Sequence, residues 1–163
     1  MTAPPDTPLN QVPLPGLLEI ASEAMLAEFR LDLVEAGYGD IRPTHGCVFR
    51  FVRGDGMRLT ELSSLAGITK QSAGEAVDDL VDLGYVERFP DPADRRAKLI
   101  RLTARGEEAQ GIGAGLFARL EKRWAERYGS DRIADLRQML EEIAAKESPR
   151  AVPELARPEL ANA

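Results

Sequence analysis

Cysteine, histidine and tryptophan each occur once in this chain of 163 residues, as Cys47, His45 and Trp124, and aromatic residues make up only 6% of it. A single cysteine cannot close an internal disulfide, and one histidine beside it excludes a zinc site built from His and Cys alone within one chain. The sequence contains no nucleophile–base pairing, phosphate-cradling loop or metal-ligand cluster, and a lone histidine leaves general-base chemistry to carboxylates and amines. Neither an enzyme nor a cofactor is expected. The opening stretch "MTAPPDTPLNQVPLPG" has no basic segment followed by an apolar one, and no apolar run reaches the length of a membrane span. These absences predict a cytoplasmic protein without a membrane partner.

What is present is a single-domain length, an apolar content of 44% and a formal net charge of -6. Such a balance argues against indiscriminate coating of nucleic acid but allows a local basic patch. Between Met57 and Arg105 acidic and basic residues balance, so the flanking segments carry the whole excess of negative charge. Within that neutral middle, negative charge gathers from Glu75 to Asp82 and positive charge gathers after Glu87.

Residues 1–13 read as a flexible arm, and the prolines spaced through residues 147–163 predict a disordered tail. From Leu14 to Ala36 the pattern is helical with two apolar stripes. One runs Leu14, Leu18, Ala21, Met25, Phe29; the other runs Ile20, Ala24, Ala27, Leu31, Val34. A helix with two apolar sides has to be covered twice, by its own domain and by a second subunit. A short helix follows over residues 42–52, with Pro43 suited to its first turn and Cys47, Val48, Phe51 and Val52 facing inward. A long helix opens at Thr103 with an inward row Ala109, Ile112, Leu116, Phe117, Leu120, Trp124, Tyr128. A last helix is expected to bury Ile133, Leu136, Leu140 and Ile143.

The informative stretch is "LTELSSLAGITKQSAGEAVDDLVDLGY". Thr60 is placed to cap a short helix with inner face Leu62, Leu65 and Ala66. Gly67 permits a sharp turn, and Thr69 caps a second helix that buries Ala73, Ala76, Val77, Leu80 and Leu83. Two short helices joined through a glycine turn form a helix-turn-helix. "YVERF" and "KLIRLT" then supply two strands whose connection holds Pro90 and Pro92, and a hairpin in that place is a wing.

The strings "RLTELSSLAGITKQSAGEAVDDLVDLGYVER" and "DPADRRAKLIRLTARG" resemble the MarR family of winged helix-turn-helix transcriptional regulators. The second carries the Asp-Pro-x-Asp-x-Arg core of that family's wing at Asp91, Pro92, Asp94 and Arg96. The likeness runs from Leu14 to Lys146 in helix order. It implies a mainly α fold with a small β-wing, in which residues 57–103 form the winged module and residues 14–53 and 104–146 form dimerisation helices. It further implies a homodimer that binds double-stranded DNA on a near-palindromic operator, as a repressor responsive to a small aromatic or anionic effector. Arg96 takes the minor-groove role by this resemblance and Asp94 the role of orienting it, as a carboxylate can through a bidentate pair.

Arg88, Arg95 and Lys98 are then expected on phosphates beside the groove. Lys70, Gln71 and Ser72, behind the Thr69 cap, occupy a helix start where phosphate and base edges can both be reached. Glu75 departs from the family, many of whose members are basic there. It either accepts from cytosine N4 in the major groove or faces solvent or an intramolecular partner. The run Asp78, Asp79, Asp82 reads as a solvated face. Cys47 reads as a small buried hydrophobe rather than an oxidant sensor; redox-sensing relatives carry their cysteine near the start of the first helix, where this chain has none. His45 and Trp124 are the candidates for an effector pocket, against packing roles for both. The alternative to DNA regulation is a winged-helix protein-interaction module that has lost DNA binding, and the acidic second helix is its support.

Overall fold

The computed structural model describes residues 8–147; residues 1–7 of the expected arm and all but the first residue of the expected tail lie outside it. The rest of the arm is ordered by a 3-10 turn at Leu9–Gln11, with Val12 buried after it. The elements that follow are α1 (Leu14–Glu35), a 3-10 turn (Pro43–His45), α2 (Gly46–Phe51), β1 (Met57–Arg58), α3 (Leu59–Ala66) and α4 (Lys70–Asp82). The wing and the C-terminal helices complete the order: β2 (Val86–Asp91), β3 (Asp94–Leu102), α5 (Ala104–Tyr128) and α6 (Ser130–Glu147).

The three strands form one antiparallel sheet in the order β1-β3-β2. Strand β1 has no signature in the sequence, because two residues show no alternation. It pairs Met57 with Ile100 and Arg58 with Leu99. That pairing also displaces the expected cap. Arg58 becomes the N-cap of α3 without a side-chain bond, and Thr60 falls inside the first turn, where its carbonyl accepts from the Ser63 hydroxyl. Gly67 ends α3 in the left-handed conformation (φ 69°), which a glycine adopts without steric cost. The Thr69 side chain accepts from the backbone N–H of Ser72 and caps α4.

The core gathers Val48, Phe51 and Val52 of α2, Leu62 of α3 and Ala76, Val77 and Leu80 of α4. Tyr85, Val86, Ile100, Leu102 and Ala109 close it from the sheet and α5. Helix α5 is fastened to this module at its start. Thr103 caps it by accepting from the Gly106 N–H and donates its own hydroxyl to the Gly84 carbonyl at 2.7 Å. Further along α5, Gln110 Nε2 donates to the Phe49 carbonyl at 2.6 Å, satisfying an orphan acceptor near the end of α2.

The flanking helices are far less covered than the module. In α1 only Leu33 is buried. Its contact with α5 is made by Phe29 stacked on Phe117 (centroids 3.8 Å apart) and by Arg123 on Asp32 at 2.7 Å. The expected inward row of α5 holds at Ala109, Leu116 and Leu120, while Phe117 and Tyr128 are exposed in the single chain. Likewise Leu136, Leu140 and Ile143 of α6, expected inside, stand exposed, and so do Leu31 and Val34 of α1. Both helices that flank the module thus keep an apolar side uncovered in the single chain.

Candidate nucleic-acid interface

Helix α4 buries Ala73, Ala76, Val77 and Leu80 and turns Lys70, Gln71, Ser72, Glu75 and Asp78 to solvent. Gly74, half-buried between them, approaches Leu59 of α3. The helix start therefore combines free backbone N–H groups, a cation and short polar side chains on one accessible end. The side chains there are already organised. The Thr69 and Ser72 hydroxyls share a hydrogen bond of 2.9 Å, and Gln71 Nε2 donates to Glu75 Oε1 at 3.0 Å. Of the two readings of Glu75, the intramolecular partner is present.

The acidic run behind Glu75 is not simply solvated. Arg88 of β2 donates to Asp78, and Arg42, ahead of α2, donates to Asp79. These contacts bind α4 to the wing on one side and to the α2 region on the other, and they remove Arg88 from the set of unengaged cations. Arg88, expected on phosphate, is paired in the DNA-free chain with a carboxylate of α4 that competes for its guanidinium.

At the wing tip the expected Asp94–Arg96 side-chain pair is not formed. Asp94 Oδ1 instead accepts the backbone N–H of Arg96 at 3.0 Å, the local bond a short acidic side chain makes two residues on. The guanidinium of Arg96 has no partner among the described residues, and Lys98 is exposed as well. Of Arg95 the structure describes only the backbone, within β3. The carboxylate that does hold an arginine is Asp91. Arg58 Nε and Nη2 donate to its Oδ2 at 2.8 and 2.6 Å, while its Oδ1 accepts the Ala93 N–H at 2.8 Å. Asp91 is 6% exposed and sits where the β2–β3 register shifts. The turn N–H and the Arg58 guanidinium hold its carboxyl below the usual range. Sequence reasoning missed Arg58, since its partner is remote in the chain and β1 is too short to announce itself.

His45 is completely buried. Its Nδ1 accepts the Arg42 N–H at 3.1 Å, which leaves the proton on Nε2, 3.5 Å from an Asp79 oxygen. Burial lowers its pKa below the ordinary value. Trp124 donates from Nε1 to Glu28 at 3.2 Å, bridging α5 and α1. Surface clefts lie on the flanking helices among the described residues. One, of about 330 Å³, is lined by Asp32, Glu35, Ala36, Leu116, Arg119 and Arg123; the other by Asp135, Gln138, Met139 and Glu142. His45 and Trp124 line neither; within the single chain His45 is a packed ring and Trp124 a bridge between helices. Cys47 is half-buried, with Sγ 3.5 Å from the Thr44 carbonyl, and burial pushes its thiol up, away from the reactive thiolate. Among the described residues no cluster of His, Cys, Asp or Glu is arranged to hold a metal.

Residues 40–97 match the model of the MarR family. The chain is similar to the crystal structure of transcriptional regulator PA4135, with TM-score 0.68 and 26% identity over 84% of this chain and 99% of that one. It superposes on the reduced form of MarR from E. coli with TM-score 0.71 and 23% identity, covering 81% of this chain and 96% of that one. The transcriptional repressor CouR, solved on a 23-mer DNA duplex, matches with TM-score 0.67 and 25% identity over 81% and 92% of the two chains. No curated protein sequence matches it significantly.

Proposed function

We propose that this chain, a winged helix-turn-helix protein of the MarR family, is a DNA-binding transcriptional regulator that acts as a homodimer on a near-palindromic site. The observation that carries the reading is the exposed polar start of α4, with Lys70, Gln71 and Ser72, together with an unengaged Arg96 and Lys98 on the wing. A helix of this kind reads the major groove from its first turns, and a cation on a narrow hairpin enters the minor groove where phosphate potential is concentrated. A structural relative with this fold is a repressor bound to a DNA duplex, which supports the repressor reading.

The homodimer reading is supported by apolar side chains left open on the flanking helices, among them Leu31 at 66%, Val34 at 61% and Met139 at 61% exposure. A symmetric partner covers such faces by presenting the same ones. The effector reading extends from the family: a small aromatic anion changes the grip on DNA. No helix among the described residues is long and apolar enough to cross a membrane.

Recovery of bound duplexes from a random-sequence pool tests the function. The expected product is one two-fold symmetric site with half-sites about one helical turn apart. The second reading, a protein-interaction module without DNA binding, is favoured by the capture of Arg88 and Arg42 by Asp78 and Asp79. It takes over if no duplex is retained at low salt. Displacement of the selected duplex by small aromatic acids tests the effector.

A further inference from the structure

Two carboxylates of α4 hold arginines from other elements, and the two contacts are built differently. Asp79 is met by Arg42 and by the fully buried ring of His45, where α4 packs against the segment ahead of α2. Asp78 is met by Arg88 of β2 alone, through a single contact from Nη1 to Oδ1. Both side chains of that pair reach solvent, Asp78 with 64% and Arg88 with 30% exposed. An exposed pair shifts an equilibrium by at most about fivefold, because water screens the charges and both side chains lose freedom. It opens readily toward a stronger anion.

The place of the pair matters as much as its weakness. Gln71, Glu75 and Asp78 follow one another at helical spacing on the exposed side of α4, which also carries Lys70. A guanidinium that reaches Asp78 from the sheet therefore stands beside the surface that α4 offers a duplex. Asp82, one turn further on, is exposed as well and holds no cation among the described residues.

We propose that Asp78 is an intramolecular substitute for phosphate, which occupies Arg88 and lowers the affinity of the chain for every duplex. The proposal rests on the DNA-binding reading above. Carboxylate and phosphate oxygens offer a guanidinium similar acceptors, so the two anions compete for one group. Contact with a duplex through Arg88 requires that the pair first open. Attraction to the phosphate backbone carries no sequence information. Withholding one cation per subunit from that backbone weakens generic binding and leaves a larger share of the affinity to base contacts at the start of α4.

The experiment measures binding to the selected duplex and to an unrelated one of equal length, over a range of salt concentrations. The full-length parent, Asp78→Asn, Arg88→Ala and the double variant are compared. Asp78→Asn is expected to bind both duplexes about three- to twentyfold more tightly, with up to fivefold from each subunit. Its slope of log K against log salt should steepen by roughly 0.9 for each Arg88 that reaches a phosphate. In the Arg88→Ala background the same substitution should gain severalfold less, since it releases no cation. Asp78→Glu keeps the carboxylate and should bind as the parent does. Asp82→Asn removes an equal charge without freeing an arginine and should not reproduce the gain. Equal gains with and without Arg88 would mean that Asp78 repels phosphate directly, and would overturn the proposal; so would an Asp78→Asn that binds like the parent. If neither the parent nor any variant retains a duplex at low salt, the DNA-binding reading itself falls.

Discussion

The carbonyl oxygen of Tyr85 lies 2.1 Å from the point where a side chain on Gly106 would begin. The first turn of α5 is pressed directly against the backbone that leads into β2, and the Thr103 N–H donates to the same carbonyl at 3.0 Å. Glycine is required here for close approach, not for an unusual backbone angle. Gly106→Ala adds helix propensity of about 1 kcal/mol but forces two backbones apart, and overpacking of this kind costs about 1–3 kcal/mol. A lower urea midpoint is expected. An alanine variant as stable as the parent would show that the joint yields freely.

Arg58 and Asp91 fix the base of the wing. With Arg58 removed, the almost fully covered Asp91 carboxylate keeps only its turn N–H groups, and the turn of the β2–β3 hairpin loses its side-chain tie to β1, whose backbone stays paired with β3. Arg58→Ala is expected to weaken DNA binding on the order of tenfold, the equivalent of one charge-assisted hydrogen bond. Arg58→Lys should recover only part, because an ammonium cannot reproduce two parallel donors. Affinity and wing amide exchange, measured together, separate this from removal of a direct phosphate interaction, which would leave exchange unchanged.

At the tip, Arg96→Ala removes two cations per dimer. The slope of log K against log salt should flatten by roughly 0.9 for each cation withdrawn from the DNA. The effect should be larger on A·T-rich flanks, whose narrow groove attracts a guanidinium most. Asp94 acts on the backbone, so Asp94→Asn, which keeps an acceptor for the Arg96 N–H, should bind nearly as the parent does. Asp94→Ala should loosen the turn. Equal losses for Asn and Ala would point to the charge instead.

His45 connects stability to pH. Its folded pKa lies below the ordinary 6.5 because the ring is buried and the Arg42 charge is near, against the opposing pull of Asp79. The unfolded chain therefore takes up a proton first as pH falls. The stabilisation is complete above the unfolded value and is lost as pH drops from 7 towards 5, at no more than about 1.4 kcal/mol per pH unit for one proton. His45→Gln retains an acceptor without a titratable ring and should flatten that slope in thermal melts. An unchanged slope would assign the pH dependence to carboxylates.

The proposed dimer faces are testable because they are open in one chain. Leu31→Asp with Met139→Asp alters side chains that are 66% and 61% exposed, so the fold of each chain should persist while the dimer dissociates. Each apolar group withdrawn from an interface removes about 1.5–3 kcal/mol, counted twice by symmetry. Light scattering should report monomers with helical circular dichroism retained. Leu116 and Leu120 are buried within the chain itself, and aspartate there tests folding rather than association.

Much of this is legible in the sequence because it depends on local chemistry. Thr69 caps, Gly67 turns, and the apolar spacing of α4 places its buried face where period and burial agree. The wing follows from a hairpin pattern. What escapes is set by partners remote in sequence. Nothing near Arg58 announces Asp91, and nothing near Arg88 announces that a helix carboxylate claims it. The Asp94–Arg96 pair is expected from proximity, whereas the nearer backbone N–H wins. Burial on α1 and α6 escapes for a different reason, since an apolar stripe does not state which chain covers it.

The Tyr85 hydroxyl donates to Asp40 at 2.7 Å and accepts from Arg105 at 3.0 Å, and Arg105 reaches Asp40 as well at 3.2 Å. The loop leaving α1 and the start of α5 thus share one pivot on the strand that leads into the wing. Helix α5 is 25 residues long, about 37 Å at 1.5 Å per residue. A tilt of about 5° at the pivot moves its far end about 3 Å, nearly one base-pair step of rise. In the proposed dimer this joint would act as the pivot of a calliper, because a change of its angle would change the distance between the two wings.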